Sequence, residues 1–429
     1  MNNFAVEAAF SASTGLRRHR FKRVLQRLED RVADAMDVQR LSLSSSGYLY
    51  EREGVTDRQT ASQVTEQRSL RVAPGHLVVN PMWLTGGSVA VSQKVGAVSP
   101  DYRVFDPHPH LVDPRFLHHL LRSQPYRDQY NLFIRANTTF DRRVQQEDLD
   151  QLPIWLPALE EQRRIADFLD DRGTRIDQII AARRLQVVLL EESALRASYE
   201  TVRGHEGTSR PSGLEWLGGI PDHWPVLTVS TEFQVDLGKM LDEKRQTGLE
   251  VIPYLRNTNV QWDGVDVSDL KYMDVTAGER TRYCVEPGDL LICEGGQPGR
   301  SAIWAGGIAP LGYQKALHRA RSRGRSRPQW LLECLRVAVS MNVFAVGNSQ
   351  TTIGHLTNEQ LRSLRLPFPS AQEQESALKV LGKARSDIRR LVENLEQSME
   401  RLAEYRQSLI TAAVTGEIDV TTAGSGVSA

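Results

Sequence analysis

The sequence predicts an α+β protein in which one plan is used twice. Two similar units of mixed strands and helices are joined by two long antiparallel helices that pair as a coiled coil, giving a dumbbell with a pseudo-two-fold axis. Three observations predict it: an internal repeat with a period of about half the chain, a proline-free helical stripe closing each copy, and a polar, Gly- and Pro-broken segment between the copies.

The repeat is carried by order and spacing together. Val72-Ala73-Pro74-Gly75-His76-Leu77-Val78-Val79 recurs as Val285-Glu286-Pro287-Gly288-Asp289-Leu290-Leu291-Ile292, displaced by 213 positions, and Thr138-Thr139 recurs as Thr351-Thr352 at the same displacement. Glu147-Asp148-Leu149 matches Glu359-Gln360-Leu361, and Pro157 with Gln162 matches Pro369 with Gln374, each displaced by 212. Chance matches would not keep that order.

Residues 1–16 fit no part of the plan and are expected to be disordered. The first unit, 17–157, is rich in β-branched residues, Gly and Pro, and its short alternating run from His76 to Asn80 follows a Pro-Gly pair, as a buried strand follows a tight turn. A helix over 158–202 comes next: it holds no proline, and Leu169, Ile176, Ile180, Val187 and Leu190 keep one face. The linker 203–213 includes Gly204-His205-Glu206-Gly207 and Pro211-Ser212-Gly213. The second unit, 214–369, repeats the strand signal from Asp289 to Cys293. In the second helix, 370–415, Leu381, Ala384, Ile388, Leu391, Leu395, Leu402, Tyr405 and Leu409 follow heptad steps of three and four, broken at Ser398, before a tail of 416–429. One such helix alone would not be stable in water, so the two copies are each other's natural partner, over a length of about 60 Å.

At 429 residues the chain exceeds one ordinary core. Lys plus Arg equals Asp plus Glu at 53 each, so net charge announces no nucleic-acid partner and only the distribution can. Arg17, Arg18, Arg20, Lys22 and Arg23 crowd one segment, and Arg319, Arg321, Arg323, Arg325 and Arg327 alternate in another. In extended chain the second run would present its guanidinium groups to one side, a geometry that suits a phosphate backbone, against the plainer reading of a solvated surface run. Cys284, Cys293 and Cys334 match no zinc spacing, and no stretch reaches the roughly 20 apolar residues of a membrane span. With no secretory pattern in Met1 to Thr14, the cytoplasm is the expected compartment.

Three motifs invite enzymatic readings. Asn80-Pro81-Met82-Trp83 resembles the base-gripping motif of amino methyltransferases, but no glycine-rich cofactor loop accompanies it, so it reads as a strand end. Asp222 with Asp242, Glu243 and Lys244 imitates a metal-dependent nuclease at a permissive spacing. Asp106, His108, His110 and Asp113 can be drawn as a metal cluster, but prolines interleave them and a solvated loop is the simpler account. No catalytic or metal residues are therefore assigned.

The junctions resemble a known family. Leu152-Pro153-Ile154-Trp155-Leu156-Pro157-Ala158-Leu159-Glu160-Glu161-Gln162-Arg163-Arg164-Ile165-Ala166 is similar to the passage from target recognition domain to spacer helix in Type I restriction-modification specificity subunits. Leu366-Pro367-Phe368-Pro369-Ser370-Ala371-Gln372-Glu373-Gln374 resembles it more loosely. Gly213-Leu214-Glu215-Trp216-Leu217-Gly218-Gly219-Ile220-Pro221 is similar to the opening of the family's second recognition domain, and Leu409 to Val420 to its ending. The resemblance implies that each recognition domain reads half of a bipartite, asymmetric double-stranded DNA target while the spacer helices fix the gap. It implies two methyltransferase subunits docked on those helices, using S-adenosylmethionine to methylate adenine, and ATP- and Mg²⁺-dependent restriction and translocation subunits completing a phage-defence complex. The chain itself would hold no cofactor and catalyse nothing. A coiled-coil scaffold or adaptor that reads no DNA is the alternative.

Base contacts do not follow from the resemblance. Side-chain chemistry suggests Lys239, Arg256, Asn257, Asn259, Gln297, Arg300, Gln350, Thr351 and Thr352 in the second unit, and Ser88, Arg135, Asn137, Thr138 and Thr139 in the first. Each has a plain alternative as a capping or surface residue. The Thr-Thr pairs stand out because both copies keep them in place.

Overall fold

The repeated Pro-Gly segments fold into the same turn in both copies. Gly75 and Gly288 take φ of 91° and 93°, a left-handed conformation that glycine adopts without steric cost. His76 N donates to Ala73 O at 3.1 Å and Asp289 N to Glu286 O at 3.0 Å. The side chain after the glycine then caps the turn: Ala73 N donates to His76 Nδ1 at 3.2 Å, and Glu286 N to Asp289 Oδ2 at 2.7 Å. His and Asp differ in charge, yet each supplies an acceptor at the same place, so the sequence repeat records a turn geometry.

In this computed structural model the described residues are 5–10, 15–32, 38–44, 46–52, 69–134, 142–204, 209–241, 248, 250–262, 264–344 and 355–423. They form two compact units, Met1–Arg183 with Glu396–Ala429, and Arg184–Leu395.

The first unit is built on a four-stranded sheet in the order Leu25–Leu28, Arg103–Pro107, Leu77–Val79, Val89–Val91. The second repeats that order with Phe233–Leu237, Leu317–Ser322, Leu290–Cys293, Ser301–Ile303. All neighbours are antiparallel, and the registers correspond: Val79 faces Val89 as Ile292 faces Ser301. A strand pair leads into each long helix, Arg17–Arg20 with Pro153–Leu156 and Val226–Thr228 with Arg365–Pro367. Phe21, Phe105, Phe116 and Tyr126 fill the core of the first unit, and Phe233, Ile292, Trp330 and Leu335 that of the second.

The long helices, Leu159–Arg203 and Ala371–Thr415, contain 45 residues each. In the first unit they run antiparallel, with Arg406 Nη1 2.7 Å from Asp177 Oδ1 and Arg183 donating to Ser398. In the second, Tyr199 and Val202 share a core cluster with Ala377 and Leu378. The apolar stripe is buried at Leu169, Ile176 and Leu381, but Leu391 and Tyr405 stay 50% and 57% exposed. Two helices side by side cover only part of such a stripe.

Two expectations need correction. The stretch 1–16 contains a helix, Ala5–Phe10, whose Val6 and Phe10 are buried; the Phe10 ring meets Tyr126 edge-on at 5.8 Å. The two apolar residues, four apart on one helix face, anchor it. The alternating arginines do not share one strand edge: the strand ends at Ser322, and Arg323, Arg325 and Arg327 lie exposed beyond it. Arg319 is 1% exposed, with Nη2 2.7 Å from Asp236 Oδ2 and Nη1 donating to Thr281 O and Cys284 O. Arg321 pairs with Asp289 and Glu286, Arg323 donates to Ser230 O, and Arg327 pairs with Glu375. The alternation does place Arg319 and Arg321 on one strand face, as expected, but that face lies against acceptors of the same unit.

Candidate nucleic-acid interface

At one end of the second unit's sheets, backbone hydrogen bonds stitch five turns together. Lys239 N donates to Tyr313 O at 2.9 Å, Lys315 N to Lys239 O at 3.0 Å, and Gln314 N to Leu255 O at 3.0 Å. Glu294 N donates to Ala316 O at 3.0 Å, and Leu356 N to Glu294 O at 2.7 Å. Gly238 makes the closest approach possible: a Cβ there would lie 2.2 Å from Gln314 O. The rigid sheet therefore presents the turns at 238–241, 256–259, 294–300, 313–316 and 355–357 as one irregular surface, the usual way a scaffold carries a binding site.

The candidate residues separate on this surface. Lys239 holds Glu279 Oε2 at 2.6 Å, and that contact first of all keeps the Glu279 carboxyl below its usual range. Arg256 donates to the carbonyl and the carboxylate of Asp269. Asn257 O accepts from Arg300 Nη2 at 3.0 Å, which fixes the glycine-rich loop against the turn, and Gln297 lies exposed in that loop. Lys239, Asn257, Gln297 and Arg300 are thus brought to one end of the unit. Asn259 is not available: it is buried, accepting from Arg256 N and donating to Asp266 O and Asp269 O. Sequence reasoning passed over the exposed Lys315, which lies in the same surface; only the turn between two strands signalled it.

The first unit builds the corresponding loop, 80–88, on the same frame. Asn80 N donates to Ser88 O at 3.0 Å where Cys293 N donates to Arg300 O at 2.8 Å, so the candidates Ser88 and Arg300 occupy equivalent places. Ser88 itself is buried and presents no side chain at the surface. Val144 N donates to Pro81 O as Leu356 N does to Glu294 O. Beneath each contact a nitrogen-bearing side chain holds the next carbonyl: Arg103 Nη2 reaches Val144 O at 2.9 Å, and His318 Nε2 reaches Leu356 O at 2.7 Å. Burial lowers both pKa values, that of Arg103 to about 10 with help from Arg27 and Arg143. The candidates Arg135, Asn137, Thr138, Thr139, Gln350, Thr351 and Thr352 lie outside the described residues, as do Asp242, Glu243 and Lys244. Among the described residues no group of three or more His, Cys, Asp or Glu is arranged to hold a metal, and no helix is long and apolar enough to cross a membrane.

Comparison with known proteins bears on this arrangement. The family model of the Type I restriction modification DNA specificity domain matches residues 54–189. The chain is 23% identical over 326 residues to the putative type I restriction enzyme MjaX specificity subunit of Methanocaldococcus jannaschii, covering 74% of this chain and 71% of that one. It is 22% identical over 316 residues to the type I restriction enzyme EcoKI specificity subunit of Escherichia coli K12, covering 72% and 66%. Residues 54–189 thus match the DNA specificity domain of Type I restriction-modification systems, and the chain is similar to Type I specificity subunits over more than 70% of its length.

The fold of the chain agrees with solved structures of Type I systems. A chain from a structure of the type I R-M system, described in terms of complex assembly and conformational transition, superposes with a TM-score of 0.71 at 18% identity, covering 95% of this chain and 99% of that one. The HsdS subunit from Thermoanaerobacter tengcongensis gives 0.51 at 18% identity, covering 95% and 98%. The matched domain and the MjaX and EcoKI specificity subunits support the specificity reading and not the adaptor alternative.

The geometry also explains the junction motif by which the subunit resembles its family. Gln162, fully buried, donates to Leu111 O and Pro157 O and accepts from Asp113 N. Gln374 donates to Ser326 Oγ and Pro369 O and accepts from Arg327 N. Asp113 and Arg327 are the residues that begin the helices Pro114–Arg122 and Pro328–Ser340. One glutamine in each copy therefore fastens the start of the long helix to the start of another, saturating its amide in a dry site.

Proposed function

We propose that this specificity subunit binds double-stranded DNA at a split, asymmetric target. Residues 17–157 would read one half, residues 214–369 the other, and the helices of 158–202 and 370–415 would set the gap. The observation that carries the reading is that the two units share sheet order, register and glutamine fastening yet differ in the loops at the sheet ends. Such loops offer hydrogen-bonding groups to base edges while the shared frame holds them in place. In the second unit the contact set is Lys239, Arg256, Asn257, Gln297 and Arg300, with Gln350, Thr351 and Thr352 further along the chain. In the first it is Arg135, Asn137, Thr138 and Thr139.

Catalysis belongs to partners in this reading. Two methyltransferase subunits dock on the long helices, where Leu185, Val188, Leu189, Leu391 and Tyr405 leave apolar surface exposed. They supply S-adenosylmethionine chemistry at the adenine amino group, and restriction subunits supply ATP- and Mg²⁺-dependent translocation and cleavage. The complex works in the cytoplasm. The test is genome-wide mapping of methylated adenine in hosts with and without the gene, methyltransferase subunit present. A split motif that vanishes with the gene is the expected result; an unchanged methylome with an assembled complex would overturn the reading.

A further inference from the structure

Trp83 is 60% exposed, although it sits in a loop held firmly from both sides. Met82 N donates to Asn80 Oδ1 at 3.1 Å and Trp83 N to Asn80 O at 3.2 Å. Trp83 O accepts from Gly86 N at 3.0 Å and Ser88 N at 3.3 Å, and Arg127 Nε donates to Thr85 O at 3.0 Å. The Asn80 amide oxygen, which a base-gripping motif would need, is used inside the loop. Trp83 is the group left facing out.

Its surroundings are basic. The bond from Val144 N to Pro81 O brings Arg142 and Arg143, both exposed, alongside the loop, with Arg103 beneath and Arg27 near it. Carboxylates are present too: Arg143 Nη2 lies 3.3 Å from Asp101 Oδ1, Arg27 pairs with Glu29, and Glu147 and Asp150 act on Arg103. An exposed aromatic ring next to cationic side chains is the combination that binds nucleic acid, the ring stacking on bases and the cations holding phosphates. Counted from the strand end, the second unit has Gly296 at this place, with no side chain to stack.

We propose that Trp83 is a base-stacking residue of the half-site bound by the first unit. This deepens the reading of the chain as a DNA-specificity subunit and rests on it. Methylation of adenine requires the base to leave the helical stack, and the bases that remain expose faces on which an indole can lie. The second half-site receives no such contact from position 296, so the two halves of the target are handled differently.

The experiment uses the full chain assembled with its methyltransferase subunits and a duplex carrying the split motif that the parent complex methylates. The parent, Trp83→Ala, Trp83→Phe and the double variant Arg142→Ala/Arg143→Ala are compared for duplex affinity and for methylation at each adenine separately. Trp83→Ala is expected to slow methylation at one adenine about ten-fold and leave the other within about two-fold. Trp83→Phe should recover most of the loss. The double arginine variant should instead weaken binding to any sequence and flatten the salt dependence. Equal effects of Trp83→Ala on both adenines, no effect on either, or failure of the variant to assemble with the methyltransferase would overturn the assignment, the last by making Trp83 a protein contact. If the parent complex itself reads no split motif, the specificity reading fails and not this one alone.

Discussion

The same rung of the same sheet is apolar in one unit and ionic in the other. In the first, Leu28 faces Val104, and Val104 faces Val78. In the second, Asp236 faces Arg319, and Arg319 faces Leu291. Val104 and Arg319 are both fully buried. The fold thus accepts either solution: Arg319 meets the Asp236 carboxylate, the Thr281 and Cys284 carbonyls, and the Tyr313 ring at 5.7 Å, while its buried Nε has no partner among the described residues. What is copied between units is the geometry that the backbone needs; what differs is how each interior is satisfied.

The largest predicted effect breaks this comparison at its ionic half. Asp236→Ala would leave Arg319 charged and dry, and should destabilise the second unit by about 3–5 kcal/mol. The double change Asp236→Leu/Arg319→Val copies the first unit's solution and should recover most of that loss, less the cost of two carbonyls left without a donor. Chemical denaturation with hydrogen exchange resolved between the two units would measure both. A double variant no more stable than the single would show that the rung is not interchangeable and that the surrounding packing sets its chemistry.

The second prediction sharpens the likeness instead. Gln162→Ala and Gln374→Ala each strand one backbone N–H and two acceptors at a junction, two carbonyls at the first and a carbonyl and the Ser326 hydroxyl at the second, at a cost of about 1–3 kcal/mol. The two losses should be similar in size, each confined to the amides of its own unit. If exchange protection falls in only one unit, the glutamines do not serve the same purpose despite their matching bonds.

Much of this architecture is legible in the residues alone. The period, the Pro-Gly turns and the paired glutamines signal the duplication because a tight turn and a buried amide tolerate few residue types. The stripe signals the 45-residue helices because apolar residues at steps of three and four share a face only when the backbone is helical. The arginine alternation misleads for a physical reason: period two establishes that side chains share a strand face, not which face is wet. Nothing local to Arg319 announces Asp236, 83 positions away. The loop surface is legible only in part, since Asn259 has the composition of a contact residue while its amide is consumed inside the turn. By sequence Trp83 is no more than a strand end; its exposure depends on how the loop is pinned by Val144, which sequence spacing does not reveal.

The smallest predicted effect concerns the helix-start cap, where the two junctions part. At the second, Ser370 and Glu373 cap each other across the helix start: Ser370 N donates to Glu373 Oε2 at 3.0 Å and Glu373 N to Ser370 Oγ at 3.3 Å. His223 Nε2 lies 2.7 Å from Glu373 Oε1, and Trp224 Nε1 donates to it at 3.2 Å. The Ser370 hydroxyl, followed by His223, pulls the Glu373 carboxyl down from 4.5 to about 2. At the first junction Ala158 stands where Ser370 does, and Glu161 pairs with Arg164 in its own helix. Because the folded pKa is depressed, the stabilisation is complete above pH 4.5 and is lost as pH falls toward about 2. The Glu373 side chain is 38% exposed, so solvent screening limits the effect to about 0.5–1 kcal/mol. Amides at the start of Ala371–Thr415 should therefore lose protection between pH 4.5 and about 2 more steeply than those at the start of Leu159–Arg203, and Ser370→Ala should remove most of the difference. Identical acid profiles at the two junctions would mean that the cap contributes nothing, and that the glutamine fastening alone holds both helix starts.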